Sequence, residues 1–334
     1  MLRSLSPRIP DASFVVLSAD PVGTTRLHGV PSISRASPGA LRAITGTDLF
    51  ISGGGSLIQD ATSTRSALYY IGMLDYATRA ARRSMVFAQG LGPLRRRWIR
   101  ALARRTLDRV HVISFRDEDS QRLAHEIGVR RPTHLVADPV FALDPASSER
   151  AAHILEGLPR PRIGLALRPV AGAHYVEQVI DAVRSVVQQT GGSAVPLVFH
   201  GQLDLPIARQ VADALKARVI SDLAPAEMMA VVGALDVLAG VRLHALIAAV
   251  AAGVAPVGLS YDPKVESLFR KVGAGHLMPV AGLQPGPLKQ ALLAAWEGGE
   301  ALRPQLLAAA ARLREEALRA TDLATTLLAM PPRL

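Results

Sequence analysis

Gly240-Val241-Arg242-Leu243-His244 is the sharpest chemical cluster in this 334-residue chain. A guanidinium clamps a carboxylate or phosphate through paired hydrogen bonds. An imidazole moves protons near neutral pH. The two side chains stand where an apolar strand turns into a helix; the other reading of His244 is a satisfied core histidine. Arg116, in Ser114-Phe115-Arg116-Asp117-Glu118-Asp119-Ser120, and Arg168, just before Pro169, also end predicted strands. Each is an anion ligand or half of a local ion pair, for Arg116 with Asp117 or Asp119. Lys264 follows a strand in Ser260-Tyr261-Asp262-Pro263-Lys264. It is one of 4 lysines among 38 basic residues, a compact ammonium where the chain otherwise uses arginine.

Ser52-Gly53-Gly54-Gly55-Ser56 lies between a strand and a helix. Glycines there let backbone N–H groups approach an anion at a helix N-terminus, with Gly54, Gly55 and Ser56 as binding positions. The alternative is a tight structural turn. The run is neither G-x-G-x-x-G nor a Walker A loop, and Ser56 lacks a nucleophile-elbow context. Gly90-Leu91-Gly92-Pro93 is a similar, weaker signal. Asp60 and Asp138 are candidate acid/base groups, or else caps and loop anchors. His, Asp and Glu show no metal-ligand spacing, so no metal is expected. The chain has no cysteine, which excludes a disulfide scaffold, a thiolate metal site and a cysteine nucleophile.

These residues need strands to carry them. Short apolar runs at 14–18, 48–52, 85–89, 110–114, 135–136, 163–168, 195–200, 237–239 and 255–259 predict strands. Segments 65–82, 95–109, 174–189, 203–215, 225–234 and 303–329 predict helices. Alternation of apolar strands with helices argues for parallel sheets covered on both faces. Three prolines between residues 144 and 161 interrupt the pattern. The expected organisation is a first domain over 1–145, a linker over 146–162, a second domain over 163–302 and a closing helix over 303–334. The expected fold class is α/β, two Rossmann-like domains whose parallel sheets face a central cleft, with ligands at the carboxyl ends of the strands.

Hydrophobic residues make up 49 % of the chain, which excludes global disorder. The formal charge is +10. Residues 79–131 hold 14 arginines against 5 acids, so the rest of the chain is nearly neutral. The segment 95–109 predicts an amphipathic helix with Trp98, Leu102 and Leu107 on one side and Arg96, Arg100 and Arg104 on another. It is a solvated helix face, or a surface for anionic lipid or a phosphorylated carrier. Aromatics are 4 % and no nucleic-acid motif is present, so no nucleic-acid partner is expected. Residues 1–8 contain no apolar stretch and predict no secretory leader. The run 243–261 carries no formal charge but is broken by Gly253 and Pro256, which argues against a membrane span.

Six motifs, in order, resemble the polysaccharide pyruvyl transferase family: Leu49-Phe50-Ile51-Ser52-Gly53-Gly54-Gly55-Ser56-Leu57-Ile58-Gln59-Asp60, Ala88-Gln89-Gly90-Leu91-Gly92-Pro93, the Phe115 to Ser120 run, Ala137-Asp138-Pro139-Val140-Phe141, the Gly240 to His244 cluster and Ser260-Tyr261-Asp262-Pro263-Lys264-Val265. They look like the branch that anchors cell-surface layers to secondary cell-wall polymers. The resemblance implies a GT-B-like fold, phosphoenolpyruvate as donor and no cofactor. It implies a lipid-linked amino-sugar or polysaccharide acceptor such as N-acetylmannosamine, a 4,6-ketal product, and cytoplasmic, peripheral work at the inner membrane face. It also implies that the family's first strand and its Gly-rich loop are missing here. Under it Arg116, Arg242, Lys264 and Arg168 bind substrate and His244 is the general acid/base. The competing expectations are a GT-B glycosyltransferase or sugar-nucleotide epimerase, with Glu227 holding a ribose, and a non-catalytic binding protein.

Overall fold

A computed structural model describes residues 1–61, 63–170 and 174–330. The chain divides into two compact units, Met1–Ala142 with the chain from Arg314 onward, and Leu143–Leu313. Each is built on parallel strands. In the first unit β1 (Val16–Ser18) pairs with β2 (Ser32–Ser34). A separate sheet has the order β3 (Phe50–Gly53), β4 (Ser84–Gln89), β5 (Val112–Phe115), β6 (Thr133–Leu135). The second unit holds β7 (Arg162–Ala166), β8 (Ser193–Pro196), β9 (Val237–Gly240), β10 (Ala255–Ser260) and β11 (His276–Pro279), in the order β11-β10-β9-β7-β8. The architecture is α/β, with two Rossmann-like domains.

The strand period of two builds the first core. Met85 and Phe87 share one face of β4 with Ala320, Ala324 and Leu327 of the last helix. Val86 faces the other way, toward Ile71, Leu74 and Ile99. The crossover helix Thr64–Ala80 is capped by Ser63, whose hydroxyl accepts from the Ser66 N–H at 3.2 Å. It buries Ala67, Ile71, Leu74 and Ala77 at helical spacing. In the second unit every residue of β8, β9 and β10 is buried, as expected for strands covered on both faces.

Two expectations change. The run 14–18, predicted as a buried strand, forms only the three-residue β1, half-buried, with β2 as its partner; Val15 before it is 50 % exposed. Trp98 does not pack with Leu107. The buried side of the helix Arg97–Leu107 is Ile99, Ala103, Thr106 and Leu107, and Trp98 lies outside, 51 % exposed. The reason is helical phase, since at 100° per residue Trp98 falls nearer Ala101 and Arg105 than Leu107. The stretch 146–162 carries a helix, Ser148–Ile154, and is tied to the second unit by the Ala146 N–H on the Ala226 carbonyl at 2.8 Å and by an Arg150–Glu227 ion pair at 2.8 Å.

The last helix runs Gly299–Ala329; of the expected 303–334 helix, residues 331–334 lie outside the described residues. It contributes to both units, with the division at Leu313 and Arg314. Among the described residues no helix is long and apolar enough to cross a membrane.

Candidate functional site

In the first unit β3 runs into the glycine turn. Gly54 and Gly55 have φ of +80° and +64°, the left-handed region that favours glycine. A Cβ on Gly54 would meet nothing within 4 Å, so conformation, not space, requires glycine there. Gly90, after β4, is constrained by space. Its Cβ would lie 2.3 Å from the Ser56 Oγ, and its N–H donates to the Gly55 carbonyl at 2.9 Å. The two glycine motifs are therefore one piece of structure. Arg116, 9 % exposed after β5, donates to Ser56 Oγ at 3.3 Å, pairs with the Asp138 carboxylate and lies 3.9 Å from Asp117.

That arrangement gives two of the candidates a structural task. Arg116 and Asp138 are both buried, so Arg116 holds Ser56 and the β6 exit in place, its charge already balanced by carboxylates. Asp138 holds Arg116, and its other oxygen accepts from the Val140 N–H at 3.0 Å. Asp60 lies in neither set of contacts. Its carboxylate accepts from the backbone N–H groups of Arg95 at 2.7 Å and Arg96 at 2.9 Å, at the entry of the Arg97–Leu107 helix. Burial pushes its pKa up, but those two N–H groups and the Arg96 guanidinium outweigh burial and hold it below the usual carboxylate value. A carboxylate so held anchors a loop and is a poor proton donor.

Gln89 escaped notice among the candidates although it sits in a quoted motif. The register between β4 and β5 shifts between Val86 and Gln89, and Ala88 there has φ +44°. Such a bulge re-aims the next side chain. Gln89 is 1 % exposed and its Nε2 makes no hydrogen bond. Its carbonyl accepts from the Arg116 N–H at 3.3 Å.

The second unit gathers the remaining candidates at the carboxyl ends of adjacent strands. Ala166 of β7 pairs with Gly240 of β9, so Arg168 and Arg242 leave neighbouring strands in step. The Arg242 guanidinium pairs with Asp204, which is fully buried. The other Asp204 oxygen accepts from the N–H groups of Phe199 at 3.2 Å and His200 at 2.8 Å, after β8. Arg242 Nε is buried and makes no hydrogen bond. His244 is exposed in the first turn of the helix Leu243–Ala252, not buried in the core.

Arg168 lies over the Tyr261 ring, 5.7 Å from its centre, and donates to the Tyr261 hydroxyl at 3.2 Å. Tyr175, 1 % exposed, donates its hydroxyl hydrogen to the Arg168 carbonyl at 2.6 Å. Burial above all, with the nearby Tyr261, pushes the Tyr175 phenol up to about 12, and Arg168 and Arg242 only partly offset this. Tyr175 therefore stays protonated and acts as a donor that fixes the β7 exit. Lys264 is half-buried in the first turn of the helix Pro263–Val272, three residues beyond Tyr261. The structure thus brings Arg168, Tyr175, Arg242 and Tyr261 into one neighbourhood, with His244 and Lys264 on the helices leaving the same sheet edge. Asp204, Tyr175 and Gln89 carried no signal in type or spacing that separates them from ordinary core polar residues.

Glu227, the residue considered for a ribose, is engaged elsewhere. One oxygen accepts from Arg150 at 2.8 Å and the other from the Ala224 N–H at 3.0 Å, and both contacts lower its pKa. Among the described residues no group of three or more His, Asp or Glu could hold a metal ion.

Comparison with known proteins gives one family and one fold. The family model described as polysaccharide pyruvyl transferase matches residues 1–263. No curated protein matches significantly. Among solved structures, Anabaena HepE in complex with UDP-glucose is similar with a TM-score of 0.65 and 14 % identity, covering 98 % of this chain and 95 % of its own. A glycosyltransferase from Rickettsia africae reaches 0.62 at 10 % identity, covering 99 % and 94 %. A Methanocaldococcus jannaschii UDP-GlcNAc 2-epimerase in complex with UDP-GlcNAc and UDP reaches 0.61 at 10 % identity, covering 88 % and 89 %. At such identities the likeness is one of fold, the two-domain Rossmann-like fold of GT-B glycosyltransferases and epimerases.

Proposed function

The chain belongs to the polysaccharide pyruvyl transferase family, and from that premise we propose that it transfers pyruvate from phosphoenolpyruvate to a sugar of a cell-wall polysaccharide precursor. The sugar is an amino-sugar such as N-acetylmannosamine on a lipid-linked carrier, and the enzyme belongs to the surface-layer-anchoring branch at the cytoplasmic face of the membrane. The product is a 4,6-linked ketal, with phosphate released and no cofactor consumed.

The observation that supports this reading best is the cationic edge of the second unit. Phosphoenolpyruvate carries a carboxylate and a phosphate, and Arg168, Arg242 and Lys264 supply three cations at one sheet edge. Buried Asp204 holds one Arg242 nitrogen and leaves its buried Nε without an internal acceptor. His244 delivers a proton to the methylene carbon, which becomes the methyl group. Positive charge develops at the central carbon, and the first sugar hydroxyl attacks it. The C–O bond to phosphate breaks, and the neighbouring hydroxyl closes the ketal. The two hydroxyl protons end on His244 and on phosphate, so the step balances without water. Gly54, Gly55 and Ser56 are substrate-binding positions of the first unit, held by Arg116 and Asp138.

The test is phosphate release from phosphoenolpyruvate in the presence of an amino-sugar acceptor. His244→Ala and Arg242→Ala are each expected to lower the rate about 10²–10³-fold. Turnover near that of the parent protein with His244→Ala removes histidine from the role assigned to it. The nucleotide-sugar reading draws on fold likeness alone, and both Glu227 oxygens are already engaged locally. Thermal stabilisation by a UDP-sugar with none by phosphoenolpyruvate would reverse the preference.

A further inference from the structure

The charge excess of residues 79–131 resolves onto a surface that the reaction above does not use. Arg97, Arg100, Arg104 and Arg105 are exposed on the helix Arg97–Leu107. Trp98 shares that outer side with Ala101 and Arg105 at i, i+3 and i+7. Beyond the helix end, Asp108 lies 3.8 Å from Arg104 and accepts from the N–H groups of Arg130 at 2.6 Å and Arg131 at 3.2 Å. One carboxylate thus stands among several arginines, beside an open depression of about 470 Å³ that Arg104, Arg105 and Arg109 help to line. Among the described residues Arg95, Arg97, Arg100 and Arg105 make no ion pair, whereas Arg96, Arg104 and Arg109 do.

We propose that this face docks on the anionic headgroups of a lipid bilayer. Arg97, Arg100 and Arg105, three positive charges on this face without a carboxylate partner, complement a negatively charged surface. An indole standing out among arginines suits the bilayer interface, where an amphipathic ring rests between headgroups and acyl chains. The apolar side of the helix is already in the protein core, so contact is by adsorption of the outer side and not by insertion of the helix. A single exposed tryptophan gives no row of stacking platforms for a nucleic-acid strand.

The full chain is sedimented with vesicles of phosphatidylglycerol and phosphatidylcholine, and with phosphatidylcholine alone. Binding to the first is expected at low salt, with loss as salt is raised, because exposed charges are screened. The double variant Arg97→Glu with Arg105→Glu is expected to weaken binding at least about 25-fold, at about fivefold for each arginine charge removed. Arg97→Gln with Arg105→Gln is a gentler second pair that keeps the test informative should the first fold poorly. Trp98 is followed by fluorescence in Trp296→Phe, where it is the one remaining tryptophan of the two, and its emission is expected to shift to the blue on anionic vesicles. Equal affinity for neutral vesicles, binding indifferent to salt or to both arginine pairs, or capture by heparin or RNA with none by vesicles would each overturn the proposal. The readout does not involve pyruvyl transfer, so its failure leaves the catalytic reading untouched.

Discussion

Asp60 is a carboxylate kept ionised by the backbone around it, through the N–H groups of Arg95 and Arg96. Its pKa is lower folded than unfolded. The stability it contributes is therefore present above the unfolded value, near pH 3.9, and is lost as pH falls through the folded value. Asp60→Asn is expected to cost about 2 kcal/mol at neutral pH, the scale of a hydrogen bond to a charged group. Below pH 4 its stability should fall less steeply with acid than that of the parent protein. Urea denaturation across that range reads both effects. As an acid in a motif, Asp60 was legible. Its task was not, because the N–H groups it serves lie some 35 residues on, and residue type does not record which loop folds back. Arg242 and His244 stood out as candidates because they lie two residues apart at a strand–helix junction marked by Gly240; the carboxylate that pairs with Arg242, Asp204, lies 38 residues back and was as hidden as the partners of Asp60.

At the scale of elements, Asp204 joins the loop after β8 to Arg242, two residues beyond β9. Asp204→Ala leaves the Arg242 guanidinium partly buried without its carboxylate and orphans two backbone N–H groups. Removing one member of a buried pair costs about 3–5 kcal/mol. Asp204→Asn, which can still accept from Phe199 and His200, should recover part of that stability while still raising the KM for the donor proposed above, phosphoenolpyruvate. Denaturation and steady-state kinetics on the two variants separate the structural loss from the loss of Arg242 placement. Apolar runs such as Val237-Leu238-Ala239 announce buried parallel strands because both faces are covered. β1 announces itself as an apolar run but not its partial burial, and β2 and β11 announce much less. β2 and β11 are only partly buried, so the need for apolar side chains on them is weak and the pattern fades. The helix Pro21–His28 is hidden similarly; no residue of it is buried.

Over the whole molecule, the alternation of strands and helices made the two α/β units readable. The division of the last helix was not, since its alanine-rich sequence is alike on both sides of Leu313. Ala320 and Ala324 are fully buried in the first unit's core against the face of β4 that carries Met85 and Phe87. Ala324→Asp places a carboxylate there with no partner at hand, a cost of several kcal/mol. Calorimetry should show the unfolding transition of the first unit moved to lower temperature, with that of the second much less affected.

Gly240 meets the carbonyl oxygen of Ala166 so closely that a Cβ there would come within 2.5 Å of it. The step from β7 to β9 is thus set by backbone against backbone, with no side chain between. Arg168 and Arg242 leave that pair of strands two residues later, so the starting points of the two cations are gauged by the ladder itself. Core residues behind the sheet can be exchanged over generations without retuning that gauge. A single methyl group at residue 240 would alter it at once.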